Sequence, residues 1–468
     1  MKKIVAICLI LLLAISPLSV FATEAVTDAS VVSGCSTLDG QVPLLGNQLL
    51  VNNTSSAILY ETGTDTLLYA YNADAQLPPA SLLKILTALI AIEKGNMTDV
   101  VTVQAEVLNT LASDAVVVEL LEDEVVTVQD LLYCMMVGSG NDAAVVLADH
   151  VLGSQEAFVA EMNRYALELG CTGTNFTNVH GLHDDQQYTT ARDVARILAK
   201  AIQNEQFCEV FGANYYTVPA TNKSEARNLV SQNYLMNNDK DINYFDSRAT
   251  GSRTGVANDR SRCIASTAKV GEMNLICIVM GSKSVYADDG YTVRVYGGYD
   301  ETTKLFDLGF KGYKAAQILH PGQVIQQLNV VNGSSDVTIG TRESATTVIP
   351  SNTDDNTLSY RYINETNLTA PIQEGDKVST LQIWIGNVCV AQTDLFAMNT
   401  VLPSDNPFGS VDADGNGVGF GRILLYLVGT VLVIALILLI CLIVLRSIRI
   451  TKAKQQSRRN RRNRRRSR

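Results

Sequence analysis

The chain has 468 residues, 47% of them hydrophobic, and a formal charge of -10 from 37 Lys+Arg and 47 Asp+Glu. That acid excess argues against nucleic acid as a partner, and the length exceeds what one small core can bury. Four histidines, and nine cysteines at irregular spacings with no C-x-x-C, leave no metal site and no cofactor to expect.

Residues 1–22 start with Lys2 and Lys3, run apolar from Ile4 to about Ile15 and end Val20-Phe21-Ala22, the layout of a cleaved secretory signal. Residues 23–50 are polar and read as a spacer. Ser56–Tyr60 and Thr66–Ala70 flank a polar Gly-containing turn and predict a β-hairpin.

Next, Pro78-Pro79-Ala80 precedes Ser81-Leu82-Leu83-Lys84 and the apolar run Ile85–Ile90. The run predicts a buried helix whose first turn carries the two polar residues. Positions i and i+3 share a helix face, so the lysine amine can reach the serine hydroxyl. Serine needs a base to act as a nucleophile, and an ordinary lysine is protonated at neutral pH. The positive end of the helix dipole and an apolar wall both disfavour the ammonium form, pushing Lys84 toward the amine that accepts the Ser81 proton. S-x-x-K alone is common by chance, because two of its four positions are free.

Thr127–Asp130 reads as a capping box opening a helix through Leu131–Met136. The helix stops at Gly138-Ser139-Gly140 and another starts at Asn141. In this break the Ser139 hydroxyl and the Asn141 amide can face one space, the first to pass a proton to a leaving group, the second to hold a peptide carbonyl. An ordinary helix junction capped by Asn141 has the same sequence. Helical periodicity continues to about residue 205, and from about 250 the pattern is of strands. Arg253-Thr254-Gly255 falls on a strand ahead of a second hairpin, Cys263–Ala268 and Leu275–Met280. A fixed cation beside a hydroxyl on a strand edge suits a carboxylate, and glycine admits a substrate backbone; a plain solvated edge arginine reads the same way. Strands, a helical block and strands again predict a sheet flanked by helices, its terminal strands paired across the sequence.

Beyond Ala316, short Val/Ile/Thr/Leu runs alternate with turn residues up to Val401, the pattern of a small all-β domain. Leu402–Gly421 is a linker. Its Asp412–Gly417 stretch resembles the opening of a calcium loop, but the twelfth position would be Ile423 rather than glutamate. Ile423–Leu445 is 23 residues without a charge, enough to cross a bilayer as one helix. Arg446, Arg449, Lys452, Lys454 and the arginine-rich end from Arg458 to Arg468 hold 12 of the 37 basic residues. Positive charge marks the cytoplasmic side, so the middle of the chain is expected outside and the tail against anionic membrane lipid. The expected division is a signal peptide 1–22, spacer 23–50, catalytic domain 51–315, all-β domain 316–401, linker 402–421, transmembrane helix 422–446 and basic cytoplasmic tail 447–468.

S-x-x-K at Ser81, S-x-N at Ser139 and [K/R]-T-G at Arg253 match, in order and spacing, the signature set of the penicillin-binding proteins and serine β-lactamases. The chain resembles the D-alanyl-D-alanine carboxypeptidases, the low-molecular-mass branch of that superfamily. The likeness extends to Pro79–Leu89, Asn178–Leu182, Tyr188–Asp193 and Ala370-Pro371-Ile372 with Gly375, roughly residues 45–400 in all. It implies an α/β (α+β) penicillin-binding/β-lactamase-like catalytic domain in a bacterial cell membrane, acting on peptidoglycan stem peptides that end in D-Ala-D-Ala and acylated by β-lactam antibiotics. By the same resemblance Ser81 is the nucleophile, Lys84 its base, and Ser139 with Lys84 the proton relay. Asn141 holds the acyl chain, and Arg253, Thr254 and Gly255 take the terminal carboxylate. The backbone N–H groups of Ser81 and Val256 form the oxyanion hole. Two features depart from the family: Arg253 stands where lysine is usual, and the C-terminus reads as a true span rather than an amphipathic helix. His180 is expected to be a hydrogen-bonded packing residue. Two other functions fit less well. A β-lactamase needs a positioned glutamate, and no E-x-x-L-N segment lies between Ser139 and Arg253; a penicillin-binding wall or antibiotic sensor would acylate without turnover.

Overall fold

The computed structural model describes Leu38, Val51, residues 53–404 apart from 114, 241, 242, 258, 259, 291, 354–356 and 365–367, and the helix Phe420–Arg464. The expected signal at 1–22, the spacer at 23–50 except Leu38, and linker residues 405–419 with their Asp-rich stretch lie outside the described residues.

Strands β1 (Ser56–Glu61) and β2 (Thr66–Tyr71) form the expected hairpin. Every residue of β1 is buried, which is why its middle, Ala57–Tyr60, is an unbroken apolar run rather than an alternation. A 3-10 turn, Ala80–Leu83, leads into α1 (Lys84–Lys94), buried on all sides from Lys84 to Ile92. β3 (Val100–Thr102), α2 (Ala105–Leu108) and β4 (Val125–Thr127) then lead to α3 (Val128–Met136). The capping box is reciprocal: Asp130 N–H donates to Thr127 Oγ1 at 3.1 Å, and Thr127 N–H to Asp130 Oδ2 at 3.3 Å. Helices α4 (Asn141–Leu152), α5 (Gln155–Glu168), α6 (Ala191–Ala201) and α7 (Glu205–Phe211) complete the helical block. Residues 169–190 depart from the expected helical run. They fold into turns pinned by the Asn175–Tyr188 and Leu77–Thr189 bridges. The ribbon of β5 (Tyr215–Val218) and β6 (Arg227–Val230) follows.

The strands β7 (Ala249–Val256), β8 (Arg262–Val270) and β9 (Met273–Ser282) return to the first hairpin. The order is β2-β1-β9-β8-β7, with Ala57 opposite Val279, so the two hairpins join as expected and β7 is left at an edge. After the short β10 (Val285–Tyr286) and β11 (Val293–Val295) comes α8 (Gly297–Gly312), a helix inside a stretch read as strands. It opens on two glycines with no side-chain cap, so nothing local announces it. Tyr299, Leu305 and Phe306 of α8 share a core with Leu59, Ile264 and Cys277 on one face of the sheet. Ile58, Ala265 and Ile278 meet the helical block on the other.

The helix α8 runs directly into β12 (Tyr313–Leu319), which pairs with β15 (Ala345–Pro350). With β13 (Val324–Leu328), β14 (Val337–Gly340), β16 (Leu358–Asn364), β17 (Lys377–Ile385) and β18 (Val388–Ala397) these make an all-β unit. Its five-stranded sheet, ordered β13-β14-β18-β17-β16, closes over its own core of Leu319, Val337, Ile339, Leu381, Ile383 and Leu395. The C-terminal helix α9 (Phe420–Arg464) contains Tyr426–Ser457, long and apolar enough to be a membrane anchor.

Candidate active site

The nucleophile candidate sits on a strained, braced turn. Ala80 has φ +46, left-handed backbone that a residue with a Cβ adopts only when its surroundings impose it. The imposing neighbour is the Asn178–Leu182 segment. A Cβ on Gly181 would lie 2.2 Å from Ala80 O and 3.0 Å from Ser81 N, so only glycine lets this loop press on the turn. Asn178 Oδ1 accepts from Gly181 N–H at 2.7 Å, Asn178 Nδ2 donates to Leu182 O at 3.0 Å, and His180 Nδ1 accepts from Leu182 N–H at 3.2 Å. His180 is thus the packing residue the sequence suggested. Burial, then the nearby Lys84 charge, pushes its pKa down to about 4.

Lys84 is wholly buried, one turn from Ser81. Its Nζ donates to Ser139 O at 2.7 Å and to Asn141 Oδ1 at 2.6 Å. Burial holds the amine well below the ordinary lysine pKa; the Arg253 charge adds to the shift and the Asp142 carboxylate opposes it. A neutral amine has two N–H donors and one lone pair. With both donors engaged, the lone pair is the part left to meet the Ser81 hydroxyl.

Between α3 and α4, Ser139 takes φ +61 and turns its carbonyl to Lys84. Asn141, 4% exposed, uses its side-chain oxygen on Lys84 and so leaves its amide hydrogens as donors. Asp142 has a role the sequence reading missed. Its carboxylate accepts from Val118 N–H and Leu120 N–H at 3.0 and 3.1 Å, tying that loop to the Ser139 turn. An acid at the start of a helix was the signal available.

Arg253 is 5% exposed, not the solvated edge arginine of the alternative reading. Nε donates to Ser81 O at 3.2 Å, Nη1 to Met136 O at 2.7 Å and Nη2 to Ser139 Oγ at 2.8 Å. Three of its five donors therefore clamp the two serine-bearing turns together. Burial lowers its pKa to about 10, which leaves it charged at neutral pH. Strand alternation turns Thr254 to the opposite face, where its Oγ1 accepts from Arg262 at 3.3 Å. Gly255 brings β7 against the nucleophile: a Cβ there would lie 2.6 Å from Ser81 N. Val256 follows with an exposed side chain, its backbone beside the same turn. Ser81, Lys84, Ser139, Asn141 and Arg253 are thus brought into one cluster, with Gly255 and Val256 along its edge. Thr254 alone faces away, toward Arg262.

A hollow of 70 Å³ between Ala80, Gly181, Leu182 and Val256 adjoins the nucleophile. A larger cavity of 460 Å³, lined by Ile202, Phe211 and Thr250, lies at the far end of β7 and holds none of these residues. Among the described residues, no three His, Cys, Asp or Glu side chains are grouped to hold a metal ion.

Comparisons with known proteins identify the family. The family model described as D-alanyl-D-alanine carboxypeptidase matches residues 48–284, and that of the penicillin-binding protein 5 C-terminal domain matches 313–402. The D-alanyl-D-alanine carboxypeptidase DacC of Escherichia coli is 31% identical over 355 residues, 74% of this chain and 83% of that one. DacF of Bacillus subtilis, of the same description, is 29% identical over 71% of this chain and 82% of its own. The crystal structure of penicillin binding protein 5 from Haemophilus influenzae superposes with a TM-score of 0.60 at 29% identity, covering 75% of this chain and 98% of the other.

Proposed function

Because the chain belongs to the D-alanyl-D-alanine carboxypeptidase family and is a serine peptidase, we propose that it removes the terminal D-alanine from peptidoglycan stem peptides through an acyl-enzyme on Ser81. The observation that carries this reading is Lys84: wholly buried, one turn from Ser81, with its Nζ donating to Ser139 O and Asn141 Oδ1. Ser81 Oγ attacks the carbonyl of the penultimate D-alanine while its proton passes to Lys84 Nζ. The N–H groups of Ser81 and Val256 receive the developing oxyanion. Asn141 Nδ2 donates to a carbonyl of the acyl chain. Collapse breaks the peptide bond, and the departing amine takes its proton from Lys84 through the Ser139 hydroxyl. Arg253 holds that hydroxyl as its acceptor. Water, deprotonated by the same amine, then releases the shortened peptide. A β-lactam ring presents the same acyl carbonyl and stops at the ester.

In the cell, α9 supports a single-pass anchor. The basic residues after Leu445 support a cytoplasmic tail, with the catalytic and all-β units outside beside their substrate. D-alanine release from a peptide ending in D-Ala-D-Ala, lost in Ser81→Ala, tests the reaction; unchanged release in that variant refutes it.

A further inference from the structure

Lys84 has to hold a proton for part of every turnover, and most of its surroundings oppose that. It is wholly buried at the N-terminus of α1, and its Nζ rests on Ser139 O and Asn141 Oδ1 at the N-terminus of α4. Both helix ends present positive potential to the amine. The Arg253 guanidinium, bound to Ser81 O and Ser139 Oγ, adds a third source. His180, from the Asn178–Leu182 segment, has a pKa of about 4 and supplies no counter-charge at neutral pH. Nor does Cys134 on α3, whose thiol pKa is pushed up by burial and then by Asp142 and Asp130.

Asp142 is the exception. It is 2% exposed and lies in the first turn of α4. Its Oδ1 is tucked beneath the Ser139–Asn141 turn so closely that a Cβ on Gly140 would lie 2.6 Å from it. The carboxylate accepts from Val118 N–H at 3.0 Å, Leu120 N–H at 3.1 Å and Ala143 N–H at 3.0 Å. Surrounded by N–H donors, it is an acceptor throughout, as a carboxylate anion is. Other buried carboxylates of the catalytic domain are matched by arginines, Glu124 by Arg227 and Asp193 by Arg196. Asp142 is instead fixed by backbone, behind the turn that holds Nζ. This rests on the proposed reaction: we infer that Asp142 is a positioning residue that supplies the counter-charge for Lys84, letting the amine take the Ser81 proton in an otherwise positive pocket. The Ser81 O–H bond breaks as the Lys84 N–H bond forms, and the proton later leaves through Ser139 for the departing amine. Asp142 exchanges no proton with either. Its charge opposes the fall in the Lys84 pKa that burial and the Arg253 charge produce. Bound to three backbone N–H groups, it does so without swinging in to lock the ammonium form.

The test reads the second-order rate of acylation by a chromogenic β-lactam against pH, on the full chain. Asp142→Asn removes the charge and nearly keeps the shape. Its acid limb should move to lower pH by about one unit or more, since losing a nearby anion lowers the pKa of an ammonium group. Its plateau rate should fall about 10- to 100-fold, because the amine is then a weaker base. Asp142→Glu keeps the charge and should return the limb toward its wild-type position, even where the plateau stays low. A purely structural role, holding Val118 and Leu120, predicts that both variants slow with the limb unmoved. The position of the limb does not depend on how much enzyme is folded, so partial unfolding does not imitate the shift. His180 titrates alike in every chain and cancels from the comparison. An unmoved limb in Asp142→Asn, or an equal displacement in Asp142→Glu, overturns the inference and leaves the reaction standing. A wild type with no acid limb overturns both the inference and the part of Lys84 as base.

Discussion

At Lys84, burial works against the ammonium form. The acceptors around Nζ, Ser139 O and Asn141 Oδ1, take the two hydrogens of a neutral amine, and burial disfavours a third. The acylation rate should therefore rise with pH through the depressed Lys84 pKa and fall as acid protonates the amine. Lys84→Met should lower it by about 10²–10⁴-fold and erase that limb, measured by stopped-flow with a chromogenic β-lactam. A limb that survives in Lys84→Met would assign the base elsewhere. His180 gives a separate signature in stability. Its folded pKa of about 4 lies below the ordinary 6.5, so the unfolded state binds the proton first. Its contribution is whole above 6.5 and is lost as pH falls from 6.5 toward 4, on the order of 3 kcal/mol. Urea denaturation at pH 7 and pH 4 should show a smaller acid loss in His180→Gln than in wild type. Equal losses in both would place the acid sensitivity in other groups.

Among the elements, the site depends on β7 lying flush against the Ala80–Leu83 turn. Gly255→Ala would put a methyl group 2.6 Å from Ser81 N, backbone that cannot move without dragging the nucleophile. Acylation should drop by more than about 10²-fold with the far-UV circular dichroism unchanged, since the strand's pairing with β8 does not need that glycine. Acylation at the wild-type rate would show that the approach is not needed. Sequence patterns with local causes were legible. The Thr127 capping box, the break at Ser139, both hairpins and the i, i+3 pair of Ser81 and Lys84 all follow from caps, turns and periods within a few residues. Other features turn on contacts distant in sequence. The helix α8 lacks a cap and opens on glycines, and residues 169–190 are organised by bridges to Leu77 and between Asn175 and Tyr188. The burial of Arg253 and the company of Arg262 are set by strand register, which the spacing of motifs does not reveal.

For the whole molecule, the catalytic unit and the all-β unit each close over their own apolar core, while the α9 segment Tyr426–Ser457 buries nothing. A helix with its apolar surface bare on every side is a candidate membrane anchor, and that role is separable from catalysis. A chain ending at residue 404 should partition into the soluble fraction and acylate at the rate of the full chain, whereas the full chain should sediment with membranes. Loss of acylation on truncation would tie the anchor to the site. The account as a whole rests on one covalent bond. Mass spectrometry of the full chain after exposure to penicillin should find a single penicilloyl adduct on the fragment carrying Ala80–Lys84, absent in Ser81→Ala. An adduct on any other serine, or one retained in that variant, would contradict the account.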